Sequence, residues 1–132
     1  MKYVFSSIES GSVSGDGMIG TVSLAMAGGS TVTIDCDQAG IEDLVTAFIQ
    51  TALAMGSQQG LDPAPPMQGV TPVVLPTSGM GAMLGPQGHA LLVFRMGCLD
   101  LGFQIENSQM IPIGQRLVQL GGQLGSEPRQ MQ

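Results

Sequence analysis

The chain has no tryptophan, one tyrosine and four phenylalanines. A platform on which nucleic-acid bases stack is built from aromatic rings, so their scarcity argues against one. Positive charge is also scarce. Lys2, Arg95, Arg116 and Arg129 oppose ten acids, for a net charge of −6. Holding a phosphate backbone takes several cations on one face, so neither DNA nor RNA is an expected partner. One histidine, His89, and two cysteines, Cys36 and Cys98, fit no common metal spacing, and no metal or other cofactor is expected. Long apolar runs are missing too. Runs such as Val73–Leu75 and the longest, Ala90–Phe94, fall far short of the roughly 20 residues of a spanning helix. The opening "MKYVFSSIES" lacks the apolar centre of a secretory signal, so a cytoplasmic chain without membrane contact is expected. Two buried thiols suit that compartment.

What the chain does have is aliphatic bulk. Hydrophobic residues make up 43% and charged residues only 11%, enough apolar content to offset chain entropy on folding. Charge this sparse suggests that part of the surface is covered by another molecule, and a homo-oligomer, first of all a dimer, is expected. Ten methionines add adaptable bulk. Met67, Met80 and Met83 read as loop residues, suited to a yielding contact with the rest of the chain, a second copy or a protein partner.

Periodicity divides the chain into short elements. "KYVFSSI", residues 2–8, reads as a strand and "ESGSVSGDG" as a turn region. "MIGTVSLAMA" is a second strand with Val22, Leu24 and Met26 on one face, and Gly28–Gly29 forms the hairpin turn. "STVTIDC" alternates cleanly, placing Val32, Ile34 and Cys36 inward. Ile41, Leu44, Val45, Phe48, Ile49, Ala52 and Leu53 then fall at steps of 0, 3, 4, 7, 8, 11 and 12, the stripe of an amphipathic helix. Glu42 and Asp43 are expected in its first turn and Gly56 at its end. Residues 56–69, rich in proline, glycine and glutamine, read as a linker.

After the linker the plan recurs. "VTPVVLPT" is expected to be a short or edge strand, "SGMGAMLGPQG" a loop, and "HALLVFRM" a strand apolar on both faces. Gly97–Cys98 turns the chain into "LDLGFQIE", with Leu99, Leu101, Phe103 and Ile105 inward. A second helix carries Met110, Ile113, Leu117, Val118 and Leu124, with Pro112 in its first turn, and residues 127–132 form a tail. At an offset of 69, Gly28 falls on Gly97, Val32 on Leu101, Ile34 on Phe103, Ile41 on Met110 and Phe48 on Leu117. Gly56–Ser57 falls on Gly125–Ser126, where both helices are expected to stop.

The fold class is therefore α+β: two tandem βββα repeats, about 1–57 and about 70–126, within one domain. About 60 residues hold little core of their own, so the repeats are expected to pack as a pseudo-twofold pair. A mostly antiparallel sheet or a half-open barrel with two helices would satisfy both.

Motifs with chemistry are few. "GDGMIG", residues 15–20, matches the letters of a dinucleotide fingerprint, but a strand rather than a helix follows and Asp16 would repel phosphate. It reads as a turn. "DCDQAGIED", residues 35–43, has the first acids of a calcium loop, but Thr46 holds the place of the bidentate glutamate, so a strand end and helix cap fit better. No nucleophile elbow or triad accompanies His89. Arg95, in a strand, is expected to pair with an acid such as Asp35 or Glu106, or to bind a carboxylate. The reading is a non-enzymatic, self-associating module with no catalytic residues. Its rival is a small-molecule binding protein or enzyme with a cleft at the repeat junction near His89, Arg95 and Cys98.

Overall fold

The computed structural model describes residues 2–61 and 71–126. The chain divides into two units, Met1–Val73 and Val74–Gln132. Each is a three-stranded antiparallel sheet followed by a helix, and neither sheet closes into a barrel.

The first unit comprises β1 (Phe5–Val13), β2 (Gly20–Met26), β3 (Thr31–Cys36) and α1 (Gln38–Gln59), with strand order β1-β2-β3. β3 alternates as expected, with Val32, Ile34 and Cys36 half-buried and Thr31, Thr33 and Asp35 exposed. β1 differs from the expectation: the serine-rich residues 9–13 are strand, not turn. The reason lies in two irregularities, between Phe5 and Ser7 and between Ile8 and Ser10. Each inserts a residue, so the chain reaches the apolar face at Phe5, Ile8, Gly11 and Val13. That spacing hides the period of two. The intervening serines pair with hydroxyl residues, Ser10 opposite Ser23 and Ser12 opposite Thr21.

The sheet consequently has two unlike faces. Ile8–Leu24–Val32, Gly11–Val22–Ile34 and Val13–Gly20–Cys36 form rows across one face. Ser10–Ser23–Thr33 and Ser12–Thr21–Asp35 form rows across the other. The polar rows are hydrogen-bonded: the Thr21 hydroxyl donates to Asp35 Oδ1 at 2.7 Å, and the Ser23 and Thr33 hydroxyls lie 3.1 Å apart.

α1 begins where Asp37 caps it, Oδ1 accepting from the Gly40 amide at 2.8 Å. Because the helix starts at Gln38, Glu42 and Asp43 fall beyond its first turn, contrary to expectation. It also runs through Gly56. The stop is Gly60, whose positive φ of 70° lets its amide reach Ser57 O while the Leu61 amide reaches Gly56 O.

The second unit comprises β4 (Gly79–Leu84), a single 3-10 turn (Pro86–Gly88), β5 (Ala90–Met96), β6 (Leu99–Ile105) and α2 (Asn107–Ser126), with order β4-β5-β6. Here the first strand is displaced from the expectation. Residues 71–77 are not strand, since Pro72 and Pro76 supply no amide to a ladder. The expected loop "GMGAML" is β4, its alternation masked because Gly79 and Gly81 hold one face. The linker at residues 62–69, together with Met67, and the tail at 127–132 lie outside the described residues. Pro112 stands one turn further inside α2 than expected. The carbonyl of Ser108, an exposed residue, thereby loses its helical donor.

Pairing refines the repeat. The row Val13–Gly20–Cys36 in the first sheet corresponds to Leu84–Ala90–Ile105 in the second. The offsets are 84 − 13 = 71, 90 − 20 = 70 and 105 − 36 = 69, so each turn of the second unit is one residue shorter. With those steps, Val22 matches Leu92, Leu24 matches Phe94 and Ile34 matches Phe103. The apolar face recurs row by row, because a slip of one residue would turn each strand over.

Candidate interaction site

The apolar rows of the first sheet ought to lie against α1, but the helix stands off them. Its main approach is to β3, from which it emerges. Ile41 packs against Gly20, where an added Cβ would lie 3.6 Å from Ile41 Cδ1. Further along, Leu44, Val45 and Phe48 face the sheet across an open groove of about 760 Å³. Ile8, Val22, Leu24, Ile34 and Cys36 line the other wall. Among the described residues, Met26 at 7% exposure is the one buried apolar side chain. Phe48 and Leu53 are each 69% exposed on α1, and Phe5 and Ile8 are 56% and 60% exposed on β1.

The second sheet is alike in kind. Met80, Leu84 and Phe103 are exposed on its apolar face, and Phe94 and Phe103 meet edge-on, ring centroids 5.7 Å apart. α2 makes no close approach to β4, β5 or β6 comparable with that of α1 to β3.

The three ligand candidates are spread along one strand. His89 directly precedes β5, Arg95 lies near its far end and Cys98 is exposed in the turn beyond. Six residues of extended chain put His89 and Arg95 roughly 20 Å apart. Arg95 does pair with an acid, but the partner is Asp100, opposite it on β6, rather than Asp35 or Glu106. The bond is bidentate, Nε to Oδ1 at 2.7 Å and Nη2 to Oδ2 at 3.0 Å. This hydrogen bond holds the Asp100 carboxyl below its ordinary 3.8. A recess of about 300 Å³ beside the pair is lined by Ser78, Gly79, Gly81 and Val93 as well. The expected loop carrying Met80 and Met83 is instead β4, hydrogen-bonded to β5.

The remaining motifs are structural. In "GDGMIG", Asp16 accepts from the Ser14 hydroxyl at 2.7 Å and from the Met18 amide at 3.0 Å, which makes a closed polar turn. Those bonds, the Ser14 hydroxyl first, lower the Asp16 carboxyl below 3.8. Neither cysteine is in a disulfide, and of the two only Cys36 is partly covered. Among the described residues no three of the His, Cys, Asp and Glu side chains gather as a metal site. No helix among them is long and apolar enough to cross a membrane.

The site the structure builds is thus an apolar one. The alternation and the helical stripe announced both walls; that they stand apart was not legible in either. Comparison with models of known protein families, with curated proteins and with solved structures finds no match.

Proposed function

We propose that this protein is a self-associating interaction module, two copies covering the apolar faces that its βββα units leave open. The observation that carries the reading is the groove of the first unit, where, beyond the contact of Ile41 with Gly20, sheet rows and helix stripe face one another across open space. Exposed apolar surface on this scale marks a contact site. A small-molecule site would converge a few polar groups to orient its ligand. The lining of this groove is mostly aliphatic and aromatic carbon, with one thiol and the hydroxyl residues Ser12 and Thr21 beside it. The thiols of Cys36 and Cys98 suit the cytoplasm, where they would stay reduced.

Sedimentation velocity and native mass spectrometry over a dilution series test the reading. A dimer that dissociates on dilution is expected. A chain that stays monomeric up to about 100 µM, a concentration at which even weak specific pairs form, overturns it.

A further inference from the structure

Resting on that reading, we infer that two copies join edge to edge, the β4 strand of one paired antiparallel with the β4 strand of the other. The sheets end in the edge strands β1 and β3, and β4 and β6. An open edge is a row of amides and carbonyls that another strand can use. Three of these edges carry a device that deters such pairing. β1 has two irregularities and Glu9, β3 carries Asp35 and β6 carries Asp100. β4 has none of these. Its residues, GMGAML, hold no charge and no proline, and its register with β5 is unbroken. Across residues 63–94 the sequence contains no Asp, Glu, Lys or Arg. Copies that each carry a net charge of −6 repel, so a contact between them is favoured where the chain is uncharged.

The hydrogen-bond pattern fixes which backbone groups point outward. The Gly85 amide donates to His89 O at 2.7 Å, so Gly85 and His89 are a hydrogen-bonded pair. Bonded and unbonded pairs alternate along an antiparallel ladder. Gly79, Gly81 and Met83 are therefore bonded to β5, and Met80, Ala82 and Leu84 turn their amides and carbonyls away from it. A twofold axis through Ala82, normal to the sheet, sets Ala82 opposite its own counterpart and Met80 opposite Leu84. In that register about six backbone hydrogen bonds close, two at each outward pair. The side chains agree with it. Met80, Ala82 and Leu84 share the apolar face with Phe94, Leu92 and Ala90. Rotation about the sheet normal keeps that face on one side, so Met80 and Leu84, 62% and 72% exposed, become cross-strand neighbours. On the other face Met83 lies opposite Gly81, where no side chain competes for room. The strand is its own complement, which commits the partner to a second copy of this chain.

The test uses the full chain. Ala82→Pro deletes the central outward amide and spares the ladder to β5, a place where an edge strand tolerates proline. It should weaken dimerisation by at least about tenfold in sedimentation velocity, and Ala82→Val, which keeps the amide, by much less. Circular dichroism checks that both variants fold. A second readout needs no proline. In a Cys36→Ser, Cys98→Ser background, Ala82→Cys brings two thiols within disulfide range, since the Cα atoms of a bonded pair lie about 5.5 Å apart. Met80→Cys leaves its two thiols roughly 14 Å apart along the strands. Mild oxidation should therefore link the copies at Ala82→Cys and not at Met80→Cys. A dimer indifferent to Ala82→Pro, or one that links no better at Ala82→Cys than at Met80→Cys, overturns the pairing of β4 and leaves self-association standing. A chain that never dimerises overturns both.

Discussion

The two βββα units carry the same apolar rows on different supports. In the first, a nine-residue β1 reaches the face by two irregularities, and its turn to β2 is held by the Ser14 and Asp16 side chains. In the second, β4 is a regular six-residue strand, and its turn to β5 is a 3-10 turn opening at Pro86. The helices differ as well. α1 starts on a side-chain cap and leaves its sheet along β3, whereas α2 carries Pro112 and the glycines 114, 121, 122 and 125. Glycine lowers helix propensity by about 1 kcal/mol per interior site, so α2 depends more on what it packs against. What recurs is the pattern that hides apolar surface. Turns, caps and helix strength are local solutions, and each unit has its own.

The difference between turns can be broken at a single atom. A Cβ added at Gly85 would lie 2.7 Å from Leu91 Cδ1, whereas one at Gly15 would meet nothing within 4 Å. Gly85→Ala should destabilise the second unit by about 1–3 kcal/mol, as overpacking does, and Gly15→Ala should cost far less. Thermal and urea unfolding of the two variants read the contrast, and equal losses would contradict it. A smaller effect separates the helices. Asp37→Ala removes the cap of α1 and should cost about 1 kcal/mol, with faster hydrogen exchange confined to the first turns of α1. Exchange that rises equally in α2 would mean that the cap is not local to its unit.

The smallest effect is a dependence on acid. Asp16 in the first unit and Asp100 in the second both have carboxyls lowered from 3.8 in the folded chain. A depressed carboxyl stabilises the fold above its unfolded value, and the contribution disappears as pH falls through the folded one. Stability should therefore hold from neutrality to about pH 4 and decline below it. Both groups are exposed, so the decline is shallow. Carboxyl-carbon NMR should place both midpoints below 3.8. A midpoint at or above that value would show that the hydrogen bonds of that turn or cross-strand pair do not persist in solution.

Legibility in the sequence followed locality. β3, β6 and α1 declare themselves, because one period runs through each: Val32, Ile34, Cys36; Leu99, Leu101, Ile105; Ile41, Leu44, Phe48. β1 and β4 were displaced because the rule that places them is not in their own residues. β1 acquires its spacing by pairing with β2, and β4 shows no alternation until Arg95 and Val93 stand opposite Gly79 and Gly81. The partner of Arg95 depended likewise on register. Asp100 lies five residues on, beyond the Gly97–Cys98 turn, and only a two-residue turn brings it opposite.

By itself, the order of residues determined that this chain repeats a βββα plan and that each strand set and each helix has an oily side. Those are properties of composition and of side chains a few positions apart. Only the tertiary structure decided that α1 stands away from the sheet it follows, leaving a groove of about 760 Å³ rather than a filled core. The distance between a helix and a sheet is set by the turn that joins them and by whatever else comes to lie between, and neither is written in the periodicity of either element.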